Sequence, residues 1–394
     1  MTLLLPDGPP AGLPAGLSTG LSTGHPNGLA SMLHVDLDAV ATNTRTFAAR
    51  TPGALMAVVK ADGFGHGAPA VAATALEHGA SWLGVTSLAE GLALRASGLR
   101  APVLSWLNPV EADFAATIGE RIDLAVPGLA HLEAAARAGL CARVHLHLDT
   151  GMARDGAAPA DWSTLCRAAR SLERQGVLRV IGMMGHLGCA DEPGDPANAA
   201  GRARFGWGLE AARAAGLRPP LRHLAATSAT LTDPAAHHTM SRIGAGLVGI
   251  DPSRSTALAA ALTLTARVVS VRRVPAGATV GYGHTWVAER PTNLALLPLG
   301  YADGLPRAAS GRAEVLLGGR RRRIVGRISM DQVVVDVGDD AAAAGEIATL
   351  FGPGRDGEPS VADWAGWADT IEHEIVTGIG SRVTRVTRAQ RVRA

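Results

Sequence analysis

The sequence predicts an α/β fold, a (β/α)8 barrel of the TIM type followed by a mostly β C-terminal domain. Short apolar runs alternate with Ala-, Leu- and Arg-rich stretches of helical periodicity, and eight such runs precede residue 260. The runs are continuously apolar, as in strands that are covered on both faces. Beyond residue 260 the helical pattern stops, and β-branched or alternating runs separated by Gly-rich turns follow.

The elements of the barrel follow in order along the chain. Residues 34–38 are predicted as a short strand and residues 39–49 as a helix. The barrel strands are predicted at 55–60, 82–86, 102–106, 123–126, 142–149, 178–186, 221–225 and 243–248. The helices between them are predicted at 68–78, 88–96, 110–119, 129–138, 162–175 and 197–215. A doubly wound open sheet is the alternative, but the glycine spacing after residue 60 is not the G-x-G-x-x-G of a dinucleotide site.

The domain boundaries follow from these patterns. Residues 44–260 are assigned to the barrel and residues 261–394 to the β domain. Strands of the β domain are predicted at 262–274, 279–287, 292–298, 313–317, 323–325 and 332–337. We expect the strand within residues 31–43 to join this domain, which would make it discontinuous in sequence. Residues 1–30, rich in Gly, Pro, Leu, Ser and Thr, are predicted to be a disordered extension.

Composition and charge exclude several classes of protein. A net charge of +2, with no basic stripe along a face, argues against a nucleic-acid partner. The dense basic run Arg320–Arg323 follows two glycines, and we interpret it as an exposed hairpin. No apolar run is long enough to span a membrane, and the first thirty residues lack the basic start of a secretory signal. The three cysteines show no metal-ligand spacing and indicate free thiols in the cytoplasm, and no metal site is predicted.

The chain contains a single lysine, Lys60, among 37 Lys and Arg residues. It follows an apolar run and precedes the glycine-rich stretch that ends at Gly67. A primary amine forms an imine with an aldehyde, whereas a guanidinium does not. Drift from Lys to Arg explains why lysine is scarce, but not where the remaining one lies. The local stretch alone leaves both a Schiff-base lysine and a chance survivor open.

Other polar residues also fall where predicted barrel strands end, which is the end that carries function in this fold. They are Lys60, Asp149 to Arg154, His186, Thr227-Ser228 and Arg242 to Gly246. Each has an ordinary structural explanation when it is taken alone. Together they provide an amine, cations, an imidazole and backbone turns of phosphate size, which is typical of a cofactor site.

These segments resemble the bacterial alanine racemase family. The stretch Val59–Gly67, V-K-A-D-G-F-G-H-G, is similar to the pyridoxal-phosphate lysine motif of that family. Further matches follow in the family's order at residues 148–154, 185–186, 222–224, 242, 281–283, 300–304 and 326–332. The resemblance covers essentially residues 33–386, and jointly the motifs are highly specific.

The resemblance implies pyridoxal 5'-phosphate as the cofactor, an amino acid as the substrate and a homodimer with a shared active site. Lys60 would hold the cofactor as an imine and act as the base for the D-enantiomer. Tyr282 of the other subunit would act as the base for the L-enantiomer. His186 and Arg242 would assist Tyr282, and Arg242 would also face the pyridine nitrogen and keep it unprotonated.

Further contacts are implied by the same motifs. Arg154 would contact the phenolic oxygen of the cofactor and the substrate carboxylate, to which the Met330 N–H would also donate. The phosphate would be bound by the Gly244 and Ala245 N–H groups and the Thr227 hydroxyl. Tyr301, the only tyrosine besides Tyr282, falls on a family position that contacts substrate.

The chain departs from the family at four positions. His147 stands where the family often has a lysine, commonly carbamylated, so we expect Arg154 to be less firmly placed. Phe64 and His373 each replace a family tyrosine, although His373 retains a group that could donate to the phosphate. Ala226-Thr227 replaces Asn-Ser. Each lost hydrogen bond is worth about 1 kcal/mol, which would weaken cofactor binding without abolishing activity.

The leading hypothesis is therefore an alanine racemase that supplies D-alanine for peptidoglycan. A racemase for serine or a wider set of amino acids is one alternative. A non-catalytic pyridoxal-phosphate-binding homologue is another. A decarboxylase on a similar barrel is disfavoured, because it would require a cysteine in the β domain and all three cysteines precede residue 190.

Overall fold

The computed structural model describes residues 30–139 and 141–388. Of the predicted extension, residues 1–30, all but Ala30 lie outside the described residues; the Ala30 carbonyl accepts a hydrogen bond from the Arg267 N–H at 2.9 Å. Among the described residues, no helix has the length and apolar character needed to cross a membrane.

The barrel half alternates strands with helices. Its elements are β1 (Ser31–Asp36), α1 (Leu37–Arg50), β2 (Ala54–Val58), α2 (Lys60–Phe64), α3 (Ala68–Glu77), β3 (Trp82–Val85), α4 (Leu88–Ala96), β4 (Val103–Ser105), α5 (Phe114–Gly119), β5 (Ile122–Val126), α6 (Leu129–Arg137), β6 (Ala142–His147), α7 (Pro159–Arg174), β7 (Leu178–Met184), α8 (Pro196–Ala214), β8 (Leu221–His223), α9 (Thr227–Thr232) and β9 (Met240–Ile243). Short 3₁₀ turns at Pro234–Ala236 and Ala245–Val248 flank the last of these strands.

Eight parallel strands form the barrel, in the order β8-β7-β6-β5-β4-β3-β2-β9. Two backbone hydrogen bonds join its two ends, from Thr239 N to Arg222 O at 3.1 Å and from Arg242 N to Ala225 O at 3.0 Å. The strands are buried on both faces, which explains their continuously apolar sequence. The predicted (β/α)8 barrel is therefore confirmed.

A second, mostly β unit follows. Its elements are β10 (Leu262–Arg267), β11 (Ser270–Val274), β12 (Thr279–Val280), β13 (Trp286–Val287), β14 (Thr292–Leu297), β15 (Glu314–Leu317), β16 (Arg320–Val325), β17 (Val333–Gly338), β18 (Ile347–Phe351), α10 (Val361–Ala368), α11 (Glu372–Gly378) and β19 (Thr384–Arg388). The large sheet has the order β11-β14-β17-β16-β15-β18-β10-β1-β19. The first strand of the chain, β1, thus lies between β10 and β19, antiparallel to the former and parallel to the latter.

Several elements differ from the predictions. The single strands predicted at 262–274 and 279–287 are each two strands, β10 with β11 and β12 with β13. The segment 31–43 is a strand only as far as Asp36, whose Oδ1 accepts from the N–H groups of Asp38 and Ala39 at 2.9 and 3.1 Å and so begins α1. The last barrel strand ends at Ile243 instead of beginning there, because Gly244 turns the chain into a 3₁₀ turn. The two helices α10 and α11 were not predicted, since short helices of 8 and 7 residues give little periodicity.

Asn43 ties α1 to the connection between the two halves. Its side chain is 1% exposed, donates to Leu247 O at 3.1 Å and to Ala259 O at 2.8 Å, and accepts from Ala259 N at 2.9 Å. We expect Asn43→Ala to lower the free energy of unfolding by about 3 kcal/mol, because buried backbone groups lose their partners. Thr42→Ala, on the exposed face of the same helix, should change it by less than about 0.5 kcal/mol. Urea denaturation followed by circular dichroism measures both, and equal effects would contradict this role.

Candidate active site

The carboxyl end of the barrel gathers most of the predicted site residues. Lys60 follows β2, and His186 follows β7. Arg242 lies in β9, and the Gly244-Ala245 turn comes directly after that strand. Thr227 begins α9. The carboxyl ends of parallel strands meet on one side of a barrel, so these groups can act on one ligand.

Lys60 opens a turn of unusual backbone conformation. The residues after it are left-handed, with φ of 51° at Ala61, 53° at Asp62, 63° at Gly63 and 57° at Phe64. Consecutive left-handed residues are costly for L-amino acids and persist only when their surroundings hold them. Two carboxylates hold this turn: Glu90 Oε1 accepts from Ala61 N at 2.8 Å, and Asp62 Oδ1 accepts from Ala68 N at 2.8 Å.

Glu90 is a functional residue that the sequence analysis missed. Besides Ala61 N, it accepts from the Thr86 N–H and hydroxyl, both at 2.8 Å, and from Ser87 N at 3.2 Å. Burial raises the pKa of Glu90, but these hydrogen bonds lower it more, so the group is a carboxylate beside Lys60. The S-x-x-E capping box that begins α4 was visible in the sequence, whereas the contact with the turn after Lys60 was not.

The Lys60 amine is easier to deprotonate than an ordinary lysine. Burial lowers its pKa most, and the positive charges of Arg154 and Arg242 lower it further, while the Glu90 carboxylate partly opposes them. A lowered pKa increases the fraction of neutral amine near pH 7, which is the nucleophilic form. Lys60 therefore has the chemistry required to bind an aldehyde.

Arg242 is almost fully buried, at 5% exposure, and its guanidinium is held on several sides. Nη1 donates to His223 O at 2.7 Å and to His223 Nδ1 at 3.1 Å, and Nη2 donates to Gly185 O at 2.8 Å and to His186 Nδ1 at 3.3 Å. Burial lowers the pKa of Arg242 to about 10, so the group is still a cation near neutral pH. Burial and then Arg242 lower the pKa of His186 to about 3, so that imidazole is neutral.

The Gly244-Ala245 turn has the features of a phosphate site. A side chain at Gly244 would lie 2.8 Å from the Phe64 ring, so glycine keeps the backbone N–H groups accessible there. The neighbouring Thr227 hydroxyl accepts from Gly246 N at 3.2 Å and keeps its own proton for another acceptor. The His373 ring lies tilted against Phe64, with 6.0 Å between ring centres, and its buried Nδ1 has no hydrogen-bond partner among the described residues. These groups fit an anion that supplies acceptors.

His147 faces an acidic residue in the loop that carries Arg154. The His147 Nδ1 lies 3.4 Å from Asp155 Oδ2, and this contact lowers the pKa of Asp155. At the other end of the loop, Asp149 Oδ1 accepts from three backbone N–H groups, the last of them that of Ala153 at 3.2 Å. The loop is thus pinned at both ends, while the Arg154 side chain is exposed.

The remaining predicted site residues lie on the second unit. Tyr282, Tyr301 and Met330 are 72%, 42% and 52% exposed. Tyr301 N donates to Ser329 O at 3.0 Å, a close approach that only glycine at position 300 permits, since a Cβ there would lie 2.3 Å from the Met330 carbonyl oxygen. Within the described ranges, no hydrogen bond joins these three side chains to Lys60 or Arg242. The hydrogen bonds within one chain therefore do not link these three residues to the barrel-end groups.

We expect Glu90→Gln to lower the pKa of Lys60 further, because the carboxylate that opposes the cations is removed. It should also lower the free energy of unfolding by about 2 kcal/mol, since an amide N–H would face backbone N–H groups. The pH dependence of acetylation of Lys60, the only lysine, reports its pKa by mass spectrometry. Glu77→Gln, which removes an exposed carboxylate at the end of α3, is the matched control. A Lys60 pKa that does not move, or that rises, in Glu90→Gln would contradict this assignment.

Comparison with known proteins agrees with this arrangement. The profile of the alanine racemase N-terminal domain matches residues 35–252, and that of the alanine racemase C-terminal domain matches residues 261–387. An alanine racemase of Frankia casuarinae is 50% identical over 370 residues, which is 91% of this chain and 96% of the relative.

Solved structures show the same likeness. The crystal structure of alanine racemase from D-cycloserine-producing Streptomyces lavendulae superposes with a TM-score of 0.90 at 43% identity, over 92% of this chain and 97% of that one. The enzyme of Bartonella henselae, solved with covalently bound pyridoxal phosphate, superposes with a TM-score of 0.82 at 27% identity, over 91% of this chain and 99% of that one. On the extent of these matches, the chain belongs to the alanine racemase family.

Proposed function

We propose that this protein interconverts L-alanine and D-alanine with pyridoxal 5'-phosphate as cofactor, and so supplies D-alanine for peptidoglycan. The observation that carries the proposal is the position of Lys60. The only side-chain amine of the chain, with a lowered pKa, lies at the carboxyl end of the barrel beside the buried cation Arg242. The family of the chain and the cofactor bound by the Bartonella henselae relative support the same assignment.

The residues at the barrel end suit each part of this cofactor. Lys60 would hold the aldehyde carbon, and the backbone of Gly244 and Ala245, with the Thr227 hydroxyl and His373, would hold the phosphate. Arg242 would face the pyridine nitrogen. When bound, the cofactor supplies an electron sink that makes the Cα proton of an amino acid removable. A cation at the ring nitrogen disfavours protonation there, which limits electron withdrawal and should suppress transamination.

Two groups of the protein would move the Cα proton. The Lys60 amine would take or return it on one face, as the base for the D-enantiomer. The Tyr282 hydroxyl would do so on the opposite face, as the base for the L-enantiomer. His186, neutral and already accepting from Arg242 at Nδ1, keeps its Nε2–H to orient the tyrosine.

The exposed position of Tyr282 supports a homodimer. Tyr282, Tyr301 and Met330 are exposed on the second unit, and no hydrogen bond among the described residues joins their side chains to Lys60. A second copy would present these residues to the barrel end and complete the site. Arg154 would bind the substrate carboxylate together with the Met330 N–H, and Tyr301 would line the substrate side.

The location of the protein is proposed as cytoplasmic. The described cysteines Cys141, Cys166 and Cys189 are free thiols, as is usual in a reducing compartment.

Exchange of the Cα hydrogen for deuterium tests the two-base assignment. The wild-type protein should exchange L- and D-alanine, and a panel run alongside that includes serine identifies the substrate. Tyr282→Phe should slow exchange from L-alanine by roughly 10²- to 10⁴-fold and that from D-alanine much less, because a general base is lost on one face only. Val287→Ala, exposed on the same hairpin, is the control. Equal slowing of both enantiomers in Tyr282→Phe would overturn the assignment, and no exchange by the wild type would overturn the function.

Activity should also be independent of carbon dioxide. An imidazole at position 147 cannot carry a carbamate, and no other lysine is available. We expect equal rates in buffer stripped of bicarbonate and in buffer supplemented with it. His147→Lys is the matched comparison, in which bicarbonate should alter the rate. A wild-type rate that falls when bicarbonate is removed would refute this expectation.

A further inference from the structure

A row of buried polar side chains crosses the interior of the barrel behind Arg242. Arg242 Nη1 donates to His223 Nδ1 at 3.1 Å, and His223 Nε2 lies 2.8 Å from His145 Nδ1. The other nitrogen of His145, Nε2, has no hydrogen-bond partner among the described residues and lies 3.6 Å from Asp123 Oδ2, a charge contact that is longer than a hydrogen bond. Asp123 in turn accepts from Arg143 at 2.8 and 3.2 Å, and Arg143 reaches the surface. The mechanism proposed above uses only Arg242 of this row.

The two ends of the row determine where every proton lies. A guanidinium has only donors, so His223 Nδ1 must accept and its proton must be on Nε2. His145 Nδ1 must then accept from His223, and its own proton must be on Nε2, directed at the Asp123 carboxylate. The opposite order would place two N–H groups face to face at Arg242. The protons of the row can therefore point in one direction only, from the Arg242 cation toward the Asp123 carboxylate.

The barrel interior has space for the side chains of this row. His145 and His223 are both 0% exposed, and Asp123 is 2% exposed, so no polar atom here can rely on bulk water. Gly182 on the neighbouring strand makes room for the His145 ring, because a Cβ there would lie 2.0 Å from His145 Nδ1. The pairing of β6 with β7 shifts register between Val144 and His145, so that His145 lies beside Gly182. Buried polar groups of this kind are unfavourable unless each has its partner.

The protonation states of the two histidines agree with this direction of donation. Burial lowers the pKa of His145, and burial followed by the charge of Arg242 lowers that of His223. Both rings are therefore neutral near pH 7 and can each donate once and accept once. The row carries charge only at its ends, on Arg242 and on the Asp123–Arg143 pair.

The row also determines which part of Arg242 faces the site. Nη1 donates to His223 Nδ1 and His223 O, and Nη2 donates to Gly185 O, to His186 Nδ1 and, at 3.5 Å, to Leu224 O. Within the described part of the chain, Nε–H is the donor of this guanidinium left without a partner. A rotation of the His223 ring would remove one of the two acceptors of Nη1 and loosen the orientation of the guanidinium.

We infer that Asp123 and His145 are positioning residues for Arg242. A one-way hydrogen-bond chain runs from Arg242 through His223 to His145, the Asp123 carboxylate orients His145 by charge, and the chain presents the Arg242 Nε–H at the carboxyl end of the barrel. The chain would keep that donor cationic and fixed in direction toward the ring nitrogen of the cofactor. This role rests on the proposed function, whereas the proton positions do not.

The proton positions can be measured without activity. Protein labelled with ¹⁵N-histidine, with and without pyridoxal phosphate, should show two neutral rings protonated on Nε2 near pH 7. The spectra of His145→Gln and His223→Gln assign these signals. A proton on Nδ1 of either ring, or an imidazolium at neutral pH, would overturn the chain even if the protein racemises alanine.

The positioning role is tested by cofactor affinity, measured by absorbance titration with pyridoxal phosphate. His145→Phe and Asp123→Leu should weaken binding on the order of tenfold, because the donor at Arg242 is no longer held. Asp123→Asn, whose amide oxygen can still face His145 Nε2 as an acceptor, should keep affinity within about threefold of the wild type. Leu104→Ala, buried in the same barrel interior, controls for lost stability. Unchanged affinity in His145→Phe and Asp123→Leu, or an equal loss in Leu104→Ala, would overturn the positioning role.

The two proposals can fail separately. If the wild type binds pyridoxal phosphate and shows the expected proton positions but does not exchange the Cα hydrogen, the proposed function fails alone. If it exchanges the hydrogen but shows a different proton order, the hydrogen-bond chain fails alone.

Discussion

Burial of the Arg242 guanidinium is the constraint on which the rest of the site depends. A charged group inside a barrel is tolerated only when its hydrogens are matched by acceptors. Two of the acceptors, Gly185 O and His223 O, are backbone carbonyls at the ends of β7 and β8. The Arg242 N–H also closes the barrel by donating to Ala225 O. Closure of the sheet and placement of the cation therefore both depend on Arg242.

The same cation sets the electrostatics of Lys60. Two positive charges, on Arg154 and Arg242, act against protonation of the amine, and burial acts in the same direction. The Glu90 carboxylate partly opposes these effects by raising the pKa of Lys60. It also holds the strained turn that begins at Lys60, by accepting a hydrogen bond from Ala61 N. One carboxylate thus couples backbone conformation to the reactivity of the amine. A lysine on a relaxed strand end would have neither the position nor this balance of charges.

The barrel and the Lys60 motif could be predicted from sequence because both are local patterns. Apolar runs and helical periodicity extend over neighbouring residues, and the family motif is contiguous. The roles of three residues, Glu90, Asp123 and His145, could not be predicted from sequence, because they depend on partners distant along the chain. His145 and His223, for example, are 78 residues apart. The end of the last barrel strand was misplaced for a related reason, since Gly244-Ala245-Gly246 continues an apolar run while its backbone turns. Contacts between residues that are distant along the chain produce no periodic pattern in the sequence.

The scarcity of lysine has a chemical consequence for a protein that binds an aldehyde. Arginine performs the ion pairing throughout the described chain, from the Arg143 contact with Asp123 to the Arg382 contacts with Asp303 and Asp331. A guanidinium stays protonated and does not form an imine, so these residues cannot capture the cofactor. With Lys60 as the only side-chain amine, a free aldehyde has one reactive side chain in the fold. Burial beside two cations then makes that side chain more reactive than an exposed lysine would be. The aldehyde is therefore directed to Lys60 both by the composition of the chain and by the surroundings of the amine.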